Sequence, residues 1–259
     1  MSNNMDTTLL ERLNYLMHQH PHLVCQIEAL AAKKQGRNIS DTNLLMAINN
    51  DLLCKSRAQL RQDIFVLHEL NFKRNGYFVE FGATNGVYLS NTYLLEKEFG
   101  WKGILAEPAI CWHDELKNNR NAHVETKCVW GNSGSIVSFN QASEAEFSTV
   151  DCLPSSGDNS ESKDIHLTYN IETISLNDLL AKYDAPRNID YLSVDTEGSE
   201  FEILSNLDFS KYTFKVITCE HNYSAARDKI YDLLTANGYI RKYDHLSQFD
   251  DWYVHFAEV

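Results

Sequence analysis

The predicted fold is α/β: a mainly parallel sheet with helices on both faces, preceded by a helical region. Three observations predict it. Val79-Glu80-Phe81-Gly82-Ala83-Thr84-Asn85-Gly86 reads as an apolar strand, a tight glycine turn and the start of a helix. Gly103-Ile104-Leu105-Ala106-Glu107-Pro108 and Ile189-Asp190-Tyr191-Leu192-Ser193-Val194-Asp195 are further apolar strands, each closing on a carboxylate. From Tyr77 onward such runs alternate with stretches of helical spacing, the order that builds βαβ units.

In chain order, strands are expected at 77–82, 103–107, 122–129, 189–194 and 214–220, and helices at 86–99, 109–119, 175–183, 199–207 and 224–237. Gly238-Tyr239 leads to a last pair of strands, near 240–243 and 252–256, expected as a hairpin-like end to the sheet. Residues 71–259 thus form one domain, with an insertion at about 130–170. Its first part alternates at period two, at 135–139 and 146–150, and predicts a small hairpin. Its second part, at 153–163, is too polar to order by its own packing.

Residues 1–70 are expected to be a helical region that packs on the main domain, on a second copy of the chain, or over the substrate. Leu9, Leu10, Leu13, Leu16 and Met17 recur at helical spacing, and Leu44, Leu45, Ile48, Leu52 and Leu53 form a later stripe. His18-Gln19-His20-Pro21-His22 lacks a nearby cysteine or carboxylate and has a central proline, so it reads as a solvated helix end rather than a metal site.

Composition excludes several partners. A formal charge of -13 with no long basic run argues against nucleic acid, whose phosphates need clustered Lys and Arg. No window of eighteen apolar residues is present, so no membrane span is expected. The start of the chain has no basic segment or small-residue cleavage site of a secretory signal. The six cysteines show no C-x-x-C pair, which reads as reduced thiols in a cytoplasmic protein.

The glycine spacing separates two cofactor classes. A dinucleotide turn is G-x-G-x-x-G, its second glycine admitting a pyrophosphate. Here that position is Thr84, the spacing is Gly82-x-x-x-Gly86, and Glu80 precedes the turn. An acid there repels a pyrophosphate but suits the cationic amino-acid end of S-adenosylmethionine. The turn residues Gly82, Ala83, Asn85 and Gly86 then flank the donor, Glu107 accepts from its ribose hydroxyls, and Val129 and Trp130 lie beside its adenine. Trp130 reads equally as ordinary core.

The chemistry is expected at carboxyl ends of later strands. Asp195 closes one strand, and Cys219-Glu220-His221-Asn222-Tyr223 follows another. Methylating a hydroxyl requires removal of its proton, so a general base is expected. His221 is the first candidate because imidazole titrates in the useful range, with Asp195 or Glu220 orienting it. The alternative is a divalent cation held by Asp195 and Glu220. Glu200 reads as the cap of the following helix, and His68, His113 and His255 as structural.

Ser56-x-x-Gln59-x-x-Gln62-Asp63-x-Phe65-Val66, Asn75 to Ala83, Ser90-Asn91-Thr92-x-x-Leu95-Glu96, Gly100-Trp101-x-Gly103-Ile104-Leu105-x-Glu107-Pro108, Ile189 to Gly198 with Glu200, and Asp251-Trp252-Tyr253-Val254 recur together in one known family. On these segments the chain resembles the FkbM family of S-adenosylmethionine-dependent methyltransferases. The resemblance implies a class I methyltransferase (Rossmann-like) fold, a donor-binding first motif at Glu80, Gly82 and Gly86, and Glu107 as ribose ligand. It also implies methyl transfer to a hydroxyl of a sugar, glycan or secondary metabolite. Ser193-Val194-Asp195 departs from the more usual Lys-Ile-Asp. A silent binding protein on this fold and an N-methyltransferase are the competing readings.

Overall fold

A computed structural model of the chain describes residues 52–150, 165–244 and 246–258. The helical stripes expected before residue 52 and the polar segment at 153–163 lie outside the described residues. Two helices come first, α1 (Leu52–Lys55) and α2 (Gln62–Glu69). The continuous helix expected up to residue 70 is broken between them. Ser56 Oγ donates to Asp63 Oδ1 at 2.7 Å, and Arg61 reaches back to the Ala58 carbonyl at 2.9 Å. Such side-chain bonds offer the backbone an alternative to the helix.

The main sheet follows: β1 (Tyr77–Phe81), α3 (Tyr93–Phe99), β2 (Lys102–Ala106), α4 (His113–Asn119) and β3 (His123–Glu125). After the insertion come α5 (Leu176–Lys182), β8 (Asn188–Val194), α6 (Glu200–Ser205), β9 (Thr213–Glu220), α7 (Ala226–Ala236), β10 (Tyr239–Lys242) and β11 (Asp250–His255). The strand order is β10-β11-β9-β8-β1-β2-β3. All neighbours pair in parallel except β11, which runs antiparallel to both β9 and β10.

Strand alternation sorts the core into two layers. Val79, Phe81, Ile104, Ala106, Ile217 and Cys219 pack with the apolar faces of α5, α6 and α7. Phe78, Leu105, Tyr191, Val216 and Trp252 pack with α2, α3 and α4 on the other face. All these helices are shorter than the roughly 12–15 residues an isolated helix needs, so burial against the sheet holds them. Among the described residues no helix is long and apolar enough to cross a membrane.

Two sequence expectations shift. The strand expected at 122–129 is two strands, β3 and β4 (Cys128–Trp130), in different sheets. Glu125 turns the chain between them by accepting from the Thr126 and Lys127 N–H groups at 3.0 and 3.1 Å. The helix expected from residue 86 starts only at Tyr93. Asn85 Oδ1 accepts from Val87 and Tyr88 N–H, and Thr84 Oγ1 donates to the Tyr88 carbonyl, so a polar loop occupies those residues.

The insertion is a second sheet of order β4-β7-β5-β6. The expected hairpin is present as β5 (Ile136–Ala142) against β6 (Thr149–Val150). The additional strand β7 (Ile165–Ser175) pairs with β5 along its length and joins β4 in parallel. Phe139, Val150 and Cys128 form its small core, with Trp130, Tyr169 and Ile171 packed on it.

Candidate active site

The chain runs from β1 outward to β3 and then returns to β8 on the other side of β1. That reversal leaves a crevice at the carboxyl ends of β1 and β8, where open α/β sheets bind ligands. The crevice is a cleft walled on one side by strand tips and on the other by the small sheet of the insertion. A second, smaller cavity adjoins it, and Leu89, Asn91 and Asp195 line both.

The glycine turn sits at the junction. Gly82 has φ +68°, and a Cβ there would lie 2.3 Å from the Asp195 carbonyl oxygen. The close approach of the β1 and β8 ends therefore requires a glycine. Gly86 also has positive φ, but its missing Cβ makes room for Arg120 and Leu116 rather than for a ligand. Ala83 is core, and Asn85 caps its own loop and donates to Glu115 at 3.0 Å. Of the predicted turn residues, Glu80 and Gly82 line the cleft; Ala83, Asn85 and Gly86 are not brought to it.

By alternation Glu80 faces α3. Its carboxylate accepts from Asn91 N–H at 2.6 Å, Ser90 Oγ at 3.0 Å and Thr92 Oγ1. Arg120, fully buried, lies 3.8 Å away and also binds Glu96 at 2.8 Å, the Gly86 carbonyl, Ser90 and Thr92. Burial still leaves the Glu80 carboxyl above its ordinary range, against the pull of Arg120. The acid thus fastens the loop that forms the rim as well as lining the cleft.

Glu107, just beyond β2, accepts from Thr84 N–H and Ala109 N–H, both at 2.8 Å. Burial pushes its carboxyl up to about 7 against those two bonds. Each oxygen keeps a lone pair for a further donor in the cleft. Val129, Cys128, Phe139 and Pro108 give that end an apolar wall. Trp130 points instead to the small core, which decides its alternative reading.

At the inner end, Asp195 and Glu220 meet. Burial, then the charge of Glu197 on Asp195 and that of Asp195 on Glu220, push both carboxyls above the ordinary range. Oxygens of Asp195, Glu197 and Glu220 lie within 4.8 Å of one another, an arrangement able to hold a cation. Glu200 opens α6, but its carboxylate accepts from Thr196 and Gly198 N–H in the preceding loop, so it ties that loop down rather than capping the helix.

His221 is not brought to this group. Consecutive residues of an extended strand face opposite ways, so Glu220 points to the small cavity and His221 to the other side of the sheet. The imidazole Nδ1 accepts from Tyr223 N–H at 2.9 Å, and Nε2 faces Asp251 at 3.8 Å. Burial holds its pKa down despite the Asp251 charge. The sequence reading chose His221 for its titration range and its place beside Glu220, and the pleat turns it away from the acidic group.

Polar residues that went unassigned, Gln59, Gln62, Asn91 and Asp250 among them, line the small cavity. Asp250 stands opposite Glu220 in the β9–β11 register. A carboxylate opening an otherwise apolar strand was the signal available for it.

The profile of the methyltransferase FkbM domain matches residues 80–253, more than half of the chain. The chain belongs to the FkbM methyltransferase family. It is therefore a methyltransferase of class I, Rossmann-like fold, with the antiparallel β11 inserted beside β9. No curated protein matches the sequence. Among solved structures, a precorrin-6y C5,15-methyltransferase from Geobacter metallireducens is 12% identical, with 70% of this chain and 71% of that one covered at a TM-score of 0.37. The fibrillarin/Nop5p complex gives 10% identity, coverage of 73% and 79%, and a TM-score of 0.34. Scores this low carry no part of the assignment. In this FkbM methyltransferase the cleft, not a distant relative, has to indicate the chemistry.

Proposed function

We propose that the protein is an S-adenosylmethionine-dependent O-methyltransferase acting on a hydroxyl of a sugar, glycan or secondary metabolite. One observation carries the reading: a cleft containing Glu107 meets, at Asp195, a polar cavity containing Glu220.

The residues fit the donor. Glu107 holds the ribose hydroxyls through its spare lone pairs. Gly82 and the Glu80-fastened loop accommodate the amino-acid end, and Val129 and Phe139 give the adenine an apolar wall. When bound, S-adenosylmethionine supplies a methyl group on a sulfonium leaving group. Most of the protein's share is alignment, which is worth several kcal/mol. Asp195 and Glu220 accept the hydrogen bond of the acceptor hydroxyl, orient its lone pair toward the cleft, and take its proton.

The test is thermal unfolding with S-adenosylhomocysteine or NAD, on wild type and Glu107→Gln. At 100 times its dissociation constant a ligand stabilises by about 2.7 kcal/mol, or roughly 5–10 °C at this size. We expect a shift with S-adenosylhomocysteine alone. In Glu107→Gln the affinity should fall about tenfold or more, the worth of a hydrogen bond to a charged group. A shift with NAD alone, or none at millimolar S-adenosylhomocysteine, would sink the donor assignment.

A further inference from the structure

Three carboxylates converge where the two cavities meet, and no Lys, Arg or His among the described residues lines either cavity. We infer that Asp195, Glu197 and Glu220 hold a divalent cation that coordinates the acceptor hydroxyl. The use of the ion rests on the methyltransferase reading; its binding does not.

The spacing is the first support. Oxygen ligands sit about 2.0–2.1 Å from Mg²⁺ and about 2.3–2.6 Å from Ca²⁺, so opposite ligands are about 4–5 Å apart. The three carboxylates fall within that span. Glu197 is half-exposed, which leaves coordination positions open toward the cleft.

The second support is independent of the cluster. Asn91 Oδ1 and Asp250 Oδ1 are buried without a hydrogen-bond partner. Their residues are only 8% and 3% exposed and line the cavity that Asp195 and Glu220 line. The Asp250 orphan does not depend on any amide orientation, because both of its terminal atoms are oxygens. Asn91 Nδ2 is committed to Ser193 Oγ at 2.9 Å, and Asp250 Oδ2 accepts from Gln62 and Trp252, both at 3.0 Å. A buried acceptor with no donor costs about 1–3 kcal/mol. A cation with its coordinated waters supplies the missing donors, since metal-bound water is a strong hydrogen-bond donor. An all-oxygen donor set selects Mg²⁺, Mn²⁺ or Ca²⁺ over softer metals.

The step balances. The cation acidifies the bound hydroxyl, whose proton passes to a carboxylate oxygen not occupied by the metal and then to water. The oxygen lone pair forms the new O–CH₃ bond as the S–CH₃ bond breaks, and the electron pair stays on sulfur in S-adenosylhomocysteine.

The test is Mn²⁺ titration of the full chain, read by loss of the free-ion electron paramagnetic resonance signal, with and without S-adenosylhomocysteine. One bound ion per chain is expected. Glu220→Gln and Asp195→Asn should each weaken it at least tenfold, and Glu197→Gln, a change at a partly exposed residue, should weaken it too. Absence of binding up to about 1 mM Mn²⁺, the weak end of biological sites, overturns the inference. So does binding that all three variants leave unchanged. A thermal shift with S-adenosylhomocysteine in the absence of Mn²⁺ binding removes the cation alone. Mn²⁺ binding without that shift removes the donor reading instead.

Discussion

At the scale of single residues, Glu220 and His221 are adjacent in the chain and opposite in space. The first reaches the small cavity, while the second is locked between Tyr223 and Asp251 across the sheet. His221→Gln should therefore keep turnover within about threefold, while its melting temperature drops, since the change disturbs a buried site. A rate loss of about a hundredfold or more, the low end of what a general base contributes, would return the imidazole to the chemistry. The same scale shows what could be read in advance. Glu107 and Asp195 were legible because a carboxylate ending an apolar run stands out against its neighbours. Gly82 was legible as a turn, but its cause was not: the Asp195 carbonyl that excludes a Cβ comes from over a hundred residues away. Asn91 and Asp250 were missed because their importance lies in which atoms remain unpaired, which depends on the finished packing.

Among elements, the decisive one is the loop between β1 and α3. Sequence periodicity extended the helix through it, yet Arg120 at the end of α4 gathers Glu80, Glu96, Ser90, Thr92 and the Gly86 carbonyl around one buried guanidinium. The burial of both acids is supportable only with that partner. Arg120→Met should destabilise the fold by about 3–5 kcal/mol, the range for stranding buried charges. It should also loosen S-adenosylhomocysteine binding, because the rim of the cleft is the loop being held. Urea unfolding at neutral pH measures the first. A loss under 1 kcal/mol would mean that water replaces the arginine. Element types elsewhere were readable. β7, by contrast, was overlooked although Ile165, Leu167, Tyr169, Ile171 and Thr173 alternate at period two; its outer end is exposed, and polar residues between those positions masked the pattern.

For the molecule as a whole, buried acids set the response to pH. Burial raises Asp63 from 3.8 to about 7, against the opposing effect of its Ser56 bond and Arg61, and Glu107 and Asp250 reach similar values. A raised carboxyl binds its proton more tightly folded than unfolded. Its stability is whole below pH 3.8 and is lost as pH climbs to about 7, on the order of 2–4 kcal/mol for a buried group. Asp251, whose charge Arg227 and Arg241 hold, goes the other way and loses its contribution in acid. Stability should therefore peak near pH 4, and Asp63→Asn should gain on wild type as pH rises from there to about 7. Calorimetry giving parallel profiles for the two proteins would rule this out. The strand order itself was not legible in local pattern, since nothing in a parallel strand names its neighbours; the resemblance of spaced motifs supplied only the fold class. That order has a further consequence. β11 is the latest described strand in the chain, yet it lies inside the sheet, between β9 and β10, and delivers Asp250 to the small cavity. During synthesis β9 must wait with a bare edge until β11 emerges from the ribosome. The cavity is then the last part of the domain to be assembled, so a nascent or C-terminally clipped chain cannot present a finished acceptor site.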